Sequence, residues 1–168
     1  SQMGIMLQDS FVFSGTIADN IRYGRLDASN EDIVRVSKLL CADEFISKLP
    51  HGYETIVKER GGGLSQGQKQ LIAFARTLLA DPKILVLDEA TSSIDTSTEQ
   101  LLQRGINLLL EGRTSFIIAH RLSTIKSCTR IMYVDGGQIK ESGSHEELMA
   151  KKGYYYDLYM AQYRKDET

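Results

Sequence analysis

The stretch ILVLDE (residues 84–89) places two carboxylates directly after four consecutive apolar residues. An apolar run without polar alternation is typical of a strand buried on both faces of a parallel sheet. Asp88 and Glu89 then fall at the carboxyl end of that strand, where ligands bind in open α/β sheets. A carboxylate at this edge can hold Mg²⁺, and its neighbour can act on a water molecule. Taken alone, Asp88 and Glu89 could also belong to a solvated loop without any ligand.

Predicted strands and helices alternate along the rest of the chain. Apolar runs like that of 84–87 predict strands at 3–7 and 114–119. Two short strands around a glycine turn predict a hairpin over 131–140. Capping residues followed by apolar residues at helical spacing predict helices after Ser29, Ser65, Thr96 and Ser144, with further helices at 43–49 and 154–163. This alternation predicts an α/β fold with a mostly parallel sheet core, in which strand 114–119 is also buried.

Composition narrows the class of protein. The chain has 168 residues, of which 42% are apolar and 25% charged, as expected for one ordinary globular domain. A formal net charge of -2 argues against a nucleic-acid partner, which requires a basic face. The apolar runs are far shorter than the roughly 20 residues that cross a bilayer. No secretory signal is visible, and two isolated cysteines favour a reducing, cytosolic compartment.

Three further segments are candidates for a binding site. LSQGQ (64–68) combines a hydroxyl, a glycine and the amides of a helix start, which together can hold a phosphate. An ordinary helix cap after a glycine turn is the equally good alternative. His120 follows a predicted strand, where a histidine is more often structural than catalytic, and Gln8 reads equally well as a loop residue.

Taken together, these segments resemble the nucleotide-binding domain of ABC transporters. The resemblance rests on the order of Gln8, LSQGQ, ILVLDE, Ser93-Ile94-Asp95 and His120, and covers nearly the whole chain. It implies an incomplete P-loop NTPase domain whose sheet core carries an α-helical subdomain. It divides residues 1–168 into a strand, Q-loop and connection (1–23), a helical subdomain with the signature motif (24–80), and a carboxyl-terminal part (81–168).

The resemblance also implies a role for each matched residue, with ATP and Mg²⁺ as cofactors. Asp88 would organise Mg²⁺, which Gln8 of the Q-loop also approaches. Glu89 would be the general base, and His120 would contact the γ-phosphate. The signature residues and the D-loop aspartate would bind nucleotide: Ser65, Gln66, Gly67, Gln68 and Asp95. Gln66 stands where the commonest signature has glycine.

Two segments favour an exporter over an importer. Residues 11–24 are similar to the segment after the Q-loop of ABC exporters, and 59–61 to the exporter loop before the signature. The implied partners are an exporter's transmembrane domain and a second nucleotide-binding domain, identical or different, and the implied location is the cytoplasmic face of the membrane. A soluble ABC ATPase acting on DNA or ribosomes is disfavoured by the same segments.

The phosphate-binding pattern G-x-x-x-x-G-K-[ST], Walker A, is absent from the 168 residues: the glycines at 62 and 67 are followed by Gln68 instead of lysine. We therefore expect the carboxyl-terminal part of such a domain, which binds ATP weakly and hydrolyses little by itself. A sheet edge and part of the core should be exposed, favouring a dimer or strand exchange. The alternative is a non-catalytic interaction module, docking through 24–80 on a membrane or nucleotide-domain partner.

Overall fold

The computed structural model describes residues 2–7, 11–58, 61–88, 96–119 and 122–166. It divides into two compact units, Ser1–Ile118 and Ala119–Thr168. The first unit contains strands β1 (Met3–Met6), β2 (Gly15–Thr16), β3 (Ile56–Val57), β4 (Ile84–Asp88) and β5 (Thr114–Ile118), and helices α1 (Ile17–Arg22), α2 (Asn30–Leu39), α3 (Asp43–Ile46), α4 (Gln66–Ala80) and α5 (Thr96–Leu110), with a short 3₁₀ helix at Gly52–Glu54. The second contains α6 (Leu122–Lys126), β6 (Ile131–Asp135), β7 (Gln138–Gly143), α7 (His145–Lys151) and α8 (Tyr154–Asp166).

The principal sheet of the first unit confirms the predicted parallel core. Its order is β1-β4-β5, with β4 in the centre and both neighbours parallel to it. Met6 lies opposite Leu87, and Asp88 lies opposite Ile118. The carboxyl ends of all three strands therefore meet at one edge of the sheet.

One face of this sheet is buried and the other is open, so the prediction that 84–87 and 114–119 are buried on both faces is wrong for this chain. Leu85 and Leu87 are buried in the main core, whereas Ile5, Phe116 and Ile118 are more than half exposed. Both crossovers step in the same direction, from β1 to β4 to β5. Crossovers of one hand that step in one direction place their helices on one face, which leaves the other face uncovered.

Helices α2, α4 and α7 begin directly after the predicted capping residues Ser29, Ser65 and Ser144, whereas α5 begins at Thr96 itself. The side chains of Ser29 and Ser65 each accept a hydrogen bond from the backbone N–H three residues on. The side chain of that later residue accepts one from the backbone N–H of the serine, which completes a capping box. Thr16 caps α1, which the sequence did not predict, in the same way. The helix predicted over 43–49 ends at Ile46, because the chain continues in three-residue turns to Leu49. Among the described residues, no helix is long and apolar enough to cross a membrane.

The second unit confirms the predicted hairpin and its two following helices. Gly136 and Gly137 adopt φ values of 54° and 72°, the left-handed conformation that a tight two-residue hairpin turn requires. Its small core contains Ile131, Leu148 and Tyr155. The Glu141 carboxylate on β7 accepts hydrogen bonds from the backbone N–H groups of Tyr154 and Tyr155, at 3.2 and 2.9 Å, and so caps α8.

Gly24 brings the chain after α1 into direct contact with α4. A Cβ atom at this position would lie 2.0 Å from the backbone oxygen of Arg76 and 3.2 Å from the backbone nitrogen of Ala80. Backbone atoms inside a helix cannot rotate away as a side chain can. Any side chain at position 24 would therefore push the segment 11–24 off α4.

We expect Gly24→Ala to lower the free energy of unfolding by about 3 kcal/mol, because overpacking against main chain cannot relax locally. Urea titration of the chain measures this change. Ser47→Ala, at an exposed position, is the control and should change the stability by less than about 0.5 kcal/mol. Equal stability of Gly24→Ala and Ser47→Ala would contradict the close approach.

Candidate functional site

Of the residues predicted to act at the sheet edge, Asp88 is the one that lies within the described part of the chain. It is the last residue of β4, partly exposed, and pairs with Ile118 at the end of β5. This position, at the carboxyl end of the central strand, is where the fold class binds ligands. The predicted neighbours Gln8, Glu89, Asp95 and His120 lie outside the described residues.

The signature segment forms the start of α4. The Ser65 hydroxyl accepts a hydrogen bond from the Gln68 backbone N–H at 3.2 Å, and the Gln68 side-chain oxygen accepts one from the Ser65 N–H at 2.9 Å. Ser65 and Gln66 are exposed, whereas Gly67 is buried. The Ser65 oxygen acts as acceptor, so its O–H can still donate to a ligand. Gln68 thereby supports the helix start, a role that the sequence analysis did not assign to it.

The structure thus brings Ser65, Gln66, Gly67 and Gln68 together at one helix start, while Asp88 lies on a different element, β4. Exposed amides of a helix start, with a hydroxyl beside them, suit a phosphate group. A single carboxylate suits Mg²⁺, which keeps several of its own waters and needs few protein ligands. Among the described residues, no group of three His, Cys, Asp or Glu side chains could hold a metal ion. The described residues therefore offer two separate sets of ligands that suit a magnesium nucleotide: the start of α4 for a phosphate group, and Asp88 on β4 for Mg²⁺.

A shallow concavity of about 650 Å³ lies elsewhere, along α2. Asn30, Val34 and Leu39 contribute to its lining, and it contains none of the predicted site residues. It is an open helix surface, so we assign it no role in nucleotide binding.

Sequence reasoning missed a partly buried polar network between the segment 11–24 and α4. Asn20 is 1% exposed, and its side chain accepts a hydrogen bond from the Phe13 N–H at 2.8 Å. Its amide donates to the backbone oxygens of Phe13 and Thr16, at 3.0 and 2.9 Å. Arg76 of α4 donates to Asn20 in turn, and burial lowers the pKa of its guanidinium. A charged residue, Arg76, within the largely apolar stretch 71–80 was the available signal.

Three aromatic side chains form an exposed cluster on top of this network. We call Phe11, Phe13 and Tyr23 the aromatic surface; they are 52%, 36% and 60% exposed. Phe13 stacks on Tyr23 with ring centroids 4.6 Å apart, and contacts Phe11 edge-on at 4.9 Å. A cluster of large aromatic rings at the surface is typical of a protein interaction site.

Comparison with known proteins decides the family. The model of the family described as ABC transporter matches residues 1–92, more than half of the chain. The chain belongs to the ABC transporter family. This confirms the resemblance of the sequence motifs and the α/β fold predicted from them.

Individual ABC proteins resemble the chain over nearly its whole length. An uncharacterized ABC transporter ATP-binding protein of Bacillus subtilis, YfiC, is 55% identical over 163 residues, which is 97% of this chain and 27% of that protein. The fatty acid ABC transporter ATP-binding/permease protein of Mycobacterium tuberculosis is 51% identical over 158 residues, or 94% of this chain and 25% of its own length.

A solved structure gives the same relation. A bacterial Atm1-family ABC exporter with ATP bound matches with a TM-score of 0.86 and 43% identity, covering 96% of this chain and 28% of that one. The chain is thus part of an ABC transporter ATP-binding domain of exporter type. It spans about a quarter of the length of the relatives that it matches.

We expect Ser65→Ala to lower the free energy of unfolding of the ABC chain by about 1 kcal/mol, because it removes the cap of α4. Ser65→Asp is the matched variant, since an aspartate oxygen caps a helix as well as serine does. Urea titration compares the two. If Ser65→Asp is as unstable as Ser65→Ala, the hydroxyl does not act as the helix cap.

Proposed function

We propose that the chain is the part of an ABC exporter's ATPase domain that contributes the carboxylates Asp88 and Glu89 and the helix α4 with its signature residues. The observation that carries this proposal is the start of α4, where the exposed Ser65 and the first helical turn lie together in a chain whose relatives are ATP-binding proteins. Bound MgATP would supply the γ-phosphoryl group that is transferred to water.

The residues of this chain act on that reaction by positioning and by charge, as in other phosphoryl transfers. Asp88 at the end of β4 would hold Mg²⁺ together with Gln8. Glu89 would accept the proton of the attacking water, and His120 would contact the γ-phosphate. These assignments rest on the motifs and, for Asp88, on its place at the sheet edge.

The signature helix completes the site of a second ATP-binding domain. Ser65, Gln66 and Gly67 lie at the start of α4 and Asp88 at the end of β4, so one copy offers two different half-sites. Asp95 of the D-loop would join the signature half-site in this arrangement. The second domain would be an identical or a different ABC chain, and both domains would contact the same ATP.

The isolated chain should hydrolyse little ATP. Its 168 residues contain no G-x-x-x-x-G-K-[ST] pattern, the usual source of backbone amides and a lysine for the β- and γ-phosphates. Asp88 and the signature alone provide few contacts to a triphosphate. The division into 1–23, 24–80 and 81–168 remains part of this proposal.

Glu89→Gln should reduce ATP turnover by about 10²- to 10⁴-fold, because it removes the general base and keeps the shape of the side chain. MgATP hydrolysis is measured for the chain alone and for a chimera, in which this chain is fused to the G-x-x-x-x-G-K-[ST] segment of a relative. Glu54→Gln, an exposed carboxylate far along the sequence, is the control.

Activity should occur only when that segment is supplied, and should then depend on Glu89. Turnover by the chain alone that depends on Glu89 would show that the phosphate-binding segment is dispensable. Turnover that Glu89→Gln leaves unchanged would remove the catalytic assignment and favour the non-catalytic interaction module.

We further propose that the aromatic surface docks on the permease part of the exporter. The Mycobacterium tuberculosis relative is an ATP-binding/permease protein, so ATP-binding and membrane parts occur in one polypeptide there. Rigid, exposed aromatic rings give contact area at small entropic cost. Docking there would hold the domain at the cytoplasmic face of the membrane.

Tyr23 should be protected from chemical modification when this chain is part of a fused exporter, because docking excludes solvent from its ring. Nitration followed by mass spectrometry compares its rate in the fused protein and in the chain alone. Tyr154 is the matched control, being 58% exposed and stacked on Tyr133 as Tyr23 is stacked on Phe13. Equal nitration of Tyr23 in both forms would exclude docking through the aromatic surface.

A further inference from the structure

Arg76 ties the segment 11–20 to α4 with its whole guanidinium. Its Nε donates to the backbone oxygen of Asn20 at 2.8 Å, and its Nη1 donates to the backbone oxygen of Phe11 at 3.0 Å. Its Nη2 donates to the side-chain oxygen of Asn20 at 3.2 Å. Three nitrogens on one planar group thus contact two points of the segment, which fixes its distance and its orientation.

The aromatic surface is attached to the same point. The guanidinium carbon of Arg76 lies 5.1 Å from the centre of the Phe13 ring, within the range of a cation–π contact. Asn20, which Arg76 holds, binds the backbone of Phe13 on both its N–H and its carbonyl. Gly24 lies directly against the Arg76 backbone oxygen. A displacement of the surface therefore acts on Arg76 first.

Arg76 and the signature serine share one rigid element. α4 runs unbroken from Gln66 to Ala80, and at 1.5 Å per residue Arg76 lies about 16 Å along the axis from Ser65. Ile72 and Phe74, which lie between these two ends, are fully buried and hold the helix in the core. A push at Arg76 consequently moves Ser65 as part of the same body.

We propose that Arg76 is a positioning residue that couples the aromatic surface to the signature motif. Movement of a permease docked on Phe11, Phe13 and Tyr23 passes through the Arg76 hydrogen bonds into α4 and displaces Ser65 relative to the nucleotide. The inference rests on the proposed function, since it needs both a docked permease and a nucleotide at Ser65. It adds the residue through which the two sites communicate.

The test uses a fused exporter, the Mycobacterium tuberculosis fatty acid transporter with this chain in place of its matching segment. ATP turnover is measured in phosphatidylcholine–phosphatidylglycerol vesicles with and without palmitate. Arg76→Lys keeps the positive charge but cannot make three directed bonds. We expect it to reduce palmitate stimulation by about fivefold or more, the lower range of coupling between sites, and to keep basal turnover within about twofold.

Arg35→Lys is the matched control, because Arg35 is an exposed arginine on α2 whose ion pair with Asp32 lies at the surface. It should keep both basal and stimulated turnover. Unchanged stimulation in Arg76→Lys would overturn the proposal. An equal loss of basal and stimulated turnover would also overturn it, because a purely structural role lowers both. Absence of Glu89-dependent turnover in the unmodified chimera would instead contradict the proposed function.

If Arg76→Lys fails to fold, backbone hydrogen exchange of the unmodified chimera, measured with and without palmitate, tests the same coupling. Backbone amides of 11–24 and of the first turn of α4 should change protection together when palmitate is added. Independent changes in the two segments would overturn the coupling through Arg76.

Discussion

The burial of α4 is the constraint on which the first unit depends. Leu71, Ile72, Phe74, Ala75 and Leu79 are all buried, so the helix contributes to the core over several successive turns. Its neighbours are fitted closely to it: a Cβ on Gly105 of α5 would lie 2.7 Å from the Phe74 ring. Close packing of this kind transmits strain along the helix. Its two ends, with Ser65 at one and Arg76 near the other, are therefore mechanically joined.

Much of this architecture follows from local sequence signals. Ser29, Ser65 and Ser144 predict helix starts because a side-chain oxygen there satisfies a backbone N–H that the helix leaves unpaired, and all three form capping boxes. The hairpin is equally local, because Gly136 and Gly137 adopt positive φ without steric cost. Such features involve residues only a few positions apart, so the sequence displays them directly.

Features that depend on distant residues were not predictable in the same way. The apolar pattern of 84–87 predicts burial on both faces, but which faces are covered depends on which other elements cross the sheet. Here Ile5 and Phe116 remain more than half exposed. The Arg76 network joins residues 56 and 65 positions apart, and no local pattern pairs them. The motifs named Gln8, Glu89, Asp95 and His120 as site residues, and their geometry lies outside the described part of the chain.

An apolar helix such as α4 could be held against the segment 11–24 by hydrocarbon contacts alone. The chain instead uses a partly buried arginine, whose desolvation is unfavourable and lowers its pKa. Hydrocarbon packing is non-directional and tolerates sliding, whereas three hydrogen bonds from one planar group fix a position. A fixed position of this kind is what the proposed coupling requires, since a displacement of the aromatic surface is then not lost in sliding between the segment 11–24 and α4.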